Sequence, residues 1–449
     1  MEKMALAVLV QGTGVHPASW MLTGAAQDPA TSTDYYVDAA RLAEQGRFDL
    51  FFVADSPAAR IDNLHAWSRF PLFMNVFEPI TLLAALSAAT TRIGLGATAS
   101  TSFYEPYNLA RLFASVDHMS HGRAAWNIVT TATDYAARNF GLSKLPPREE
   151  RYARAQEFVS VVKALWDTWE DDAFIHDVAA GINFDPAKLH ALHHKGQFFE
   201  VHGALNIARA PQGQPVLIQA GASATGKDFA AEHAEVVFGS DATIGEAQAF
   251  YQDIKGRLAN FGREPSSLKI LAGLPVVVGS TAQEAEDRYW AQQELIHPDV
   301  GRMRLSNDLE VDLSDLPLDE PIPEDRIPAS SNLHQTYFAQ IADMARKKMT
   351  LRQIYMSYER GLTTLRGTPT TIADTMQEWM ERGAADGFMM IFPSMPGGLK
   401  DFVHQVVPEL QRRGLMRTEY EGFQLRDHLG LKRPANRYTA AGQADQAFQ

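Results

Sequence analysis

Short, continuously apolar runs recur along the chain, and most of them are followed by a stretch with helical periodicity. The runs cover residues 5–10, 50–54, 93–97, 124–129, 216–220, 235–238, 270–278 and 387–392. Continuous rather than alternating hydrophobicity is typical of strands that are covered on both faces, as in a parallel sheet. The pattern therefore predicts eight strand–helix units.

The helix after the third run has the clearest local signals. Pro106 falls in its first turn, Gly122 follows its end, and apolar residues recur on one face. Thr243 and Thr281 each precede a Glu by three residues, which predicts capping boxes at two later helices. Eight such units predict an α/β fold, a (β/α)8 TIM barrel, which needs about 250 residues and leaves about 200 for additions.

The additions to the barrel have identifiable places. We expect a single domain over residues 1–449, with a C-terminal extension over 408–449 and several insertions. The insertions cover about 56–78, 130–148, 170–214 and 285–360. We also expect residues from about 285 to 335 to form a mobile cover over the carboxyl-end face of the barrel, because their proline-rich, acidic middle offers little apolar surface to anchor them.

A doubly wound sheet is the alternative fold, and it would place a glycine-rich dinucleotide turn after an early strand. The only candidate, QGTGVHP over residues 11–17, lacks the third glycine and continues into His16 and Pro17 instead of a helix. The barrel is therefore the favoured architecture.

Composition narrows the classes of function. The chain has 41 basic and 54 acidic residues, a formal charge of -13 that disfavours nucleic-acid phosphates. It contains no run of 18 apolar residues, so we expect no membrane span. The absence of cysteine excludes disulfides and thiolate chemistry and fits a cytoplasmic protein. The apolar segment 4–10 resembles a first strand more than a signal peptide.

Polar residues at the carboxyl ends of the predicted strands are the first candidates for chemistry, because this end of a TIM barrel carries the active site. They are Gln11, Asp55, Thr98, Ser100, Asn127, Thr130, Ser223, Ser240 and Ser394. Each one alone is also suited to a turn or a helix cap, since these short side chains bond readily to the nearby backbone.

The segment QAGASATG, residues 219–226, gives a more specific signal. A strand passes through Gly221 and small residues into a helix near Thr225, which exposes backbone amides at a helix amino terminus. This arrangement predicts a phosphate site, with an ordinary capped helix as the alternative. The segment REERY, residues 148–152, offers an arginine and a tyrosine hydroxyl to the same anion, or forms a solvated charged face.

Metal and glycosidase chemistry are less well supported. His190, His193 and His194 lie close together, but in an insertion without a carboxylate at ligand spacing, so we predict no metal site. Asp55 and Glu78 suggest the carboxylate pair of a glycoside hydrolase. Glu78 directly precedes a proline at a helix start, however, which favours a capping role.

Four blocks of the chain resemble a known family. They are FEPITLLAALSAATTRIGLGATASTSFYEPYNLARLFASVDHMSHGRAAWNIVTT, ERYARAQEFVSVVKALWDTWEDDA, HKGQFFEVHGALNIARAPQGQPVLIQAGASATG and YEGFQLRDHLGLKRP. Together they are similar to the flavin-dependent monooxygenases that include nitrilotriacetate monooxygenase, dibenzothiophene-sulfone monooxygenase and pristinamycin synthase, within the bacterial luciferase-like superfamily. The resemblance covers nearly the whole chain.

The resemblance implies FMN bound at the carboxyl-end face of the barrel. Carried over by position, Asp55, Thr98 and Asn127 would line the isoalloxazine ring and ribityl chain. The residues implied at the phosphate are Arg151, Tyr152, Ala222 and Ser223, with the neighbouring amides of GASATG. The family often has a histidine four residues before the tyrosine, where this chain has Arg148; arginine would offer the phosphate a permanent bidentate donor.

The activity implied by the resemblance is that of a two-component monooxygenase. Reduced FMN, supplied as a co-substrate by a separate NAD(P)H:FMN reductase, would react with dioxygen to oxygenate a small organic substrate, whose identity the sequence does not name. Two rivals stay open: a deazaflavin-dependent oxidoreductase of the same superfamily, and a non-catalytic flavin-binding barrel. A homodimer or homotetramer is expected.

No side chain is assigned as a catalytic base. His16 is the one candidate, because it follows the first strand and could face the substrate, with Trp20 as a possible wall; a structural histidine is the alternative.

Overall fold

In the computed structural model, which describes residues 3–26, 28–131, 133–240, 243–329 and 335–439, all eight apolar runs form strands. The strands are β1 (Ala5–Val10), β2 (Leu50–Val53), β3 (Gly94–Ser100), β4 (Ala124–Val129), β5 (Leu192–Lys195), β6 (Glu200–Gly203), β7 (Val216–Gln219), β8 (Val236–Gly239), β9 (Lys269–Val278), β10 (Leu365–Gly367) and β11 (Gly387–Ile391).

Eight of the described strands close into a parallel barrel, in the order β1, β2, β3, β4, β7, β8, β9, β11 and back to β1. The closing register pairs Gly387 with Leu271 on one side and with Ala5 on the other. β10 lies outside the barrel and pairs in parallel with the last residues of β9, while β5 and β6 form a separate antiparallel hairpin. The predicted TIM-barrel fold is confirmed.

Helices surround the barrel. The α-helices are α1 (Thr33–Gln45), α2 (Leu64–Trp67), α3 (Pro79–Ala89), α4 (Pro106–Met119), α5 (Asp134–Ala137), α6 (Arg148–Trp166), α7 (Ala224–His233), α8 (Ile244–Arg257), α9 (Ala282–Gln293), α10 (Pro298–Leu309), α11 (Gln335–Arg346), α12 (Leu351–Ser357), α13 (Pro369–Glu381), α14 (Gly397–Asp401), α15 (Val407–Arg412) and α16 (Leu425–Leu429). A π-helical segment, Phe402–Val406, joins α14 to α15. Short 3-10 turns cover Ser19–Met21, Pro29–Thr31, Arg138–Phe140, Pro186–Lys188, Leu258–Phe261, Pro265–Ser267 and Glu324–Arg326.

The helix starts follow the capping chemistry of the sequence. Thr243 forms the predicted capping box with Glu246, and the Thr281 side chain accepts a hydrogen bond from the backbone N–H of Glu284. None of the 18-residue windows in the described helices is apolar enough to cross a bilayer.

The C-terminal tail closes the amino-terminal end of the barrel. Leu425, Leu429 and Leu431 pack into the barrel interior, and the Arg426 guanidinium forms an ion pair with Glu235 at 2.6 Å. The barrel is therefore sealed at one end and open at the other, so ligands reach it from the carboxyl ends of the strands.

The insertion after β9 forms a helical layer with its own apolar core. Its predicted start at residue 285 lies inside α9, a regular barrel helix. Leu313, Leu316 and Ile322, in the segment expected to lack anchoring, are buried in a cluster with Trp67 of α2. The described part of this segment is therefore anchored, and the expectation that it lacks apolar anchoring is wrong. The sequence did not reveal this anchoring, because Leu313, Leu316 and Ile322 are spaced singly among acidic residues and form no apolar run.

Candidate active site

A cavity of about 380 Å³ opens at the carboxyl ends of β2, β3, β4 and β7. Its lining includes Asp55, Thr98, Ser100, Thr130, Tyr152 and Gln219, and we call it the central cavity. β3 runs three residues further than the apolar pattern indicated, so Thr98 and Ser100 belong to the strand itself. Four of the candidates that the sequence placed at strand ends, and Tyr152 of REERY, thus share one cavity.

Asn127 and Thr98 form a buried polar pair in the floor of the barrel mouth. The Asn127 Nδ2 donates to the Thr98 Oγ1 at 2.9 Å, and each residue is 5% exposed. The Asn127 Oδ1 is buried and has no hydrogen-bond partner among the described residues. An unsatisfied buried acceptor costs about 1–3 kcal/mol, so this oxygen is suited to a donor on a bound ligand.

The amino terminus of α7 forms a small cradle. The Ser223 Oγ accepts from the backbone N–H of Gly226 at 3.1 Å, which fixes the first turn of the helix. A Cβ added at Gly226 would lie 3.1 Å from both the Ser223 Oγ and the Tyr152 hydroxyl oxygen. Two hydroxyl groups and the helix amides therefore surround a space that only glycine leaves open, and such a site is suited to a phosphate.

The backbone around the cradle is positioned by Gln219 and Tyr152. The Gln219 Oε1 accepts from the backbone N–H of Gly221 at 2.7 Å, which orients the turn through Ala222. The Tyr152 ring packs edge-on against Phe229 of α7 at 5.9 Å between centroids. Neither contact could be predicted from the sequence. The Tyr152–Phe229 contact joins elements that are distant along the chain, and the Gln219–Gly221 contact depends on a side-chain rotamer.

The two arginines of REERY occupy different positions. Arg148 is exposed, and its guanidinium carbon lies 5.7 Å from the centroid of the Tyr152 ring. Arg151 donates to the carbonyl oxygens of Thr130 and Pro146, each at 3.1 Å, and to that of Thr131. In this arrangement Arg151 holds the loop after β4, and its contact with a phosphate stays a prediction.

The loop after β4 carries local backbone strain. Thr131 has φ of 49°, a left-handed conformation that is unfavourable for a β-branched residue. Its Oγ1 lies 2.6 Å from the Ser100 Oγ. Together with Arg151, this hydroxyl pair keeps the strained residue at the edge of the central cavity.

Asp55 lies between the central cavity and a second cavity that also contains Glu78 and Tyr104. Burial raises the pKa of Asp55 to about 6, and the negative charge of Glu78 adds to this shift. The Glu78 carboxylate accepts from the backbone N–H groups of Ile80 and Thr81 and from the Tyr104 hydroxyl. Glu78 is thus a helix cap, which disfavours the glycosidase interpretation.

His16 lines an outer cavity of about 470 Å³ that adjoins the second cavity along residues 73–77. Its Nδ1 accepts from the backbone N–H of Ala18 at 3.1 Å, so the proton is assigned to Nε2, which lies 3.3 Å from the Gln293 Oε1. Burial lowers the pKa of His16 to about 4. His16 is therefore neutral with both nitrogens engaged, which favours a structural role over that of a general base.

The three clustered histidines lie away from these cavities. The His190 Nε2 lies 2.8 Å from Glu170 and the His194 Nε2 lies 2.9 Å from Glu157, each in a pairwise contact. The ring of His193 packs against the ring of His202 in the β5–β6 hairpin. A three-residue group of His, Asp and Glu that could hold a metal does not occur in the described part of the chain.

A (β/α)8 barrel that is sealed at one end and has a cleft at its carboxyl face is typical of a barrel enzyme. Residues 15–386 match the family described as luciferase-like monooxygenase. The chain belongs to this family and is a flavin-dependent monooxygenase.

Three relatives illustrate the similarity. N-acetyl-S-(2-succino)cysteine monooxygenase of Bacillus subtilis (strain 168) is 46% identical over 441 residues, which cover 97% of this chain and 98% of the relative. Nitrilotriacetate monooxygenase component A of Aminobacter aminovorans is 44% identical over 445 residues, covering 97% and 98%. The structure of EDTA monooxygenase from Chelativorans sp. BNC1 superposes with a TM-score of 0.78 at 32% identity, covering 96% of this chain and 99% of that one. The resemblance noted in the sequence is confirmed.

Proposed function

We propose that this protein is the oxygenase component of a two-component system that uses reduced FMN and dioxygen to oxygenate a small organic substrate. The observation that carries the proposal is an open cradle at the start of α7, between the Ser223 and Tyr152 hydroxyl groups, together with an orphaned acceptor, the Asn127 Oδ1. Tyr152 and Thr98, the hydrogen-bond partner of Asn127, both line the central cavity. A ligand with a phosphate at one end and hydrogen-bond donors along its body fits both features.

FMN has this composition, with a phosphate, a ribityl chain of hydroxyl groups and a ring that carries both donors and acceptors. Tyr152, Ser223 and the α7 amides would hold the phosphate. Asn127, Thr98 and Asp55 would contact the ribityl chain and ring. When bound in its reduced form, FMN supplies the activation of dioxygen from which one oxygen atom passes to the substrate.

The chain's own contribution is to orient the cofactor and to limit water at the reacting face. Asp55 is the titratable side chain best placed for proton exchange, because its pKa of about 6 allows both protonation states near neutral pH. The rings of Phe103 and Phe140 stack at 4.2 Å between centroids along the second cavity, which adds apolar cover beside the polar floor.

A separate reductase is part of the proposal. The sequence shows no nicotinamide fingerprint, and the relative from Aminobacter aminovorans bears the designation component A. The homodimer or homotetramer and the cytoplasmic location remain predictions; light scattering of the purified protein would measure the first.

Oxygen consumption with and without a reductase tests the function. We expect the purified protein alone to leave NADH unoxidised. Addition of an NADH:FMN reductase, FMN, catalase and one of nitrilotriacetate, EDTA or N-acetyl-S-(2-succino)cysteine should give oxygenated product that incorporates label from 18O2. Turnover of NADH by the single chain would contradict the two-component proposal, and binding of FMN without product from a broad substrate panel would favour the non-catalytic barrel.

A further inference from the structure

Phe73, in the loop between α2 and α3, has a strained backbone. Its φ is 57°, a left-handed conformation that is unfavourable for a residue with a bulky side chain. The turn that contains it is closed by a hydrogen bond at 3.1 Å from the backbone N–H of Met74 to the carbonyl oxygen of Pro71. Strain of this kind persists only where the surrounding structure fixes it, and it is concentrated at functional sites.

Core packing does not account for the aromatic ring at this position. The neighbours Leu72 and Met74 pack against the apolar cluster of the helical layer, which also contains Trp67, and so they anchor the turn. Phe73 itself is half-buried and belongs to none of the hydrophobic clusters within the described ranges. The Phe73 ring therefore calls for an explanation other than the stability of a core.

Phe73 stands in the wall between two cavities. It lines both the second cavity, of about 670 Å³, and the outer cavity, of about 470 Å³. Asn75, Val76 and Phe77 line both cavities as well. Asn75 and Val76 are exposed, and Phe77 packs against the hydrophobic cluster that contains Tyr36. Phe73 is thus the large side chain of this wall that is not committed to a core.

The second cavity lies between the outer cavity and the central cavity. It shares Asp55, Ser56, Pro57 and Ser100 with the central cavity, whereas the outer and central cavities have no lining residue in common in the described part of the chain. With FMN in the central cavity, the reacting part of a substrate would lie in the second cavity. A long tail of that substrate could continue into the outer cavity only past Phe73.

Building on the proposed function, we propose that Phe73 is a specificity-determining residue that limits the length of the substrate. Its ring closes the second cavity toward the outer cavity, so the wild-type protein selects compact organic substrates over those with a long apolar chain. Removal of the ring would join the two cavities into one longer space.

Binding of a chain-length series to the FMN-loaded protein tests this inference without relying on turnover. The probes are N-acetyl-S-alkylcysteines with straight alkyl chains from ethyl to dodecyl, which differ only in the apolar tail. Each methylene that becomes buried should strengthen binding about fourfold. We expect the affinity of the wild-type protein, measured by titration calorimetry, to rise with chain length and to become constant once the tail reaches Phe73.

Phe73→Ala should let the rise continue. Chains about three methylenes beyond the wild-type limit should bind this variant about ten- to hundredfold more tightly than they bind the wild-type protein. Phe73→Gly should extend the limit in the same way, and because glycine tolerates a positive φ, it serves as the test if the alanine variant does not fold. Leu72→Ala is the matched control, since Leu72 lies in the same turn and lines the outer cavity but not the second one. It should leave the wild-type limit unchanged.

Three results would overturn the inference. They are the wild-type limit in a folded Phe73 variant, a wild-type affinity that rises over the whole series, and failure of every probe to bind the wild-type protein. The last two are measured on the wild-type protein and do not depend on the folding of any variant. FMN binding, measured first by fluorescence quenching, reports separately on the proposed function.

Discussion

Replacement of Gly226 by alanine should weaken FMN binding without damaging the fold. The φ of Gly226 lies outside the left-handed region, so alanine is compatible with the backbone. The added Cβ would lie 3.1 Å from the Ser223 Oγ and the Tyr152 hydroxyl oxygen and 3.2 Å from the Gly221 Cα. These neighbours would have to move by a few tenths of an ångström, which displaces the two hydroxyl groups that we assign to the phosphate.

The size of the effect follows from the hydrogen bonds at risk. A hydrogen bond to a charged group contributes about 1.5–3 kcal/mol, so the loss of one should raise the Kd for FMN about ten- to hundredfold. Riboflavin lacks the phosphate, so its Kd should change by less than about twofold. Helix stability should not fall, since alanine is favoured over glycine by up to about 1 kcal/mol in a helix.

The assay is fluorescence titration of both flavins, with thermal unfolding in parallel. Gly245→Ala is the matched control, because Gly245 also lies in the first turn of a helix, α8, and a Cβ there meets nothing within 4 Å. Unchanged FMN affinity in Gly226→Ala, or an equal loss for FMN and riboflavin, would show that the phosphate does not bind at α7.

The remaining predictions concern four side chains, those of Tyr152, Ser223, Arg148 and His16. Tyr152→Phe and Ser223→Ala should each weaken FMN about ten- to hundredfold and leave riboflavin nearly unaffected; equal losses, measured by the same titration, would place these residues elsewhere. Arg148→His should keep FMN binding but make it stronger below the histidine pKa of about 6.5; an affinity that stays flat between about pH 5.5 and 8 would mean that the side chain points away from the phosphate. The pKa of His16 is about 4 in the folded protein and about 6.5 in the unfolded chain, so the unfolded chain binds the extra proton and the stability present above pH 6.5 is lost as the pH falls toward 4. Urea unfolding should show a smaller loss over this window for His16→Asn than for wild type, by on the order of 3 kcal/mol, and identical pH profiles would contradict the assigned burial.

The sequence alone determined the barrel and the order of its strands. Continuous apolar runs reflect burial of a strand on both faces, and this is a local property that each run carries by itself. Chain order then places the carboxyl ends of β2, β3, β4 and β7 at one mouth, so the convergence of Asp55, Thr98 and Ser100 with Tyr152 could be anticipated. The capped start of α7 was also readable, because a helix cap is encoded within a few residues; the phosphate assigned to it stays a prediction.

Tertiary structure decided how the individual side chains are used. The neutral state of His16 depends on its burial by distant segments, one of which brings Gln293, 277 residues away, to its Nε2. The carboxylate of Asp308 is likewise bound by Arg360, 52 residues away. Leu316 is likewise buried in a cluster that brings together distant segments, including Trp67 of α2. Hydrogen-bond partners, burial and charge neighbours are set by contacts between distant segments, whereas hydrophobic periodicity records only the faces of each segment. That is why the sequence located the mouth of the barrel, and only the folded chain showed which of its polar groups are free to bind a ligand.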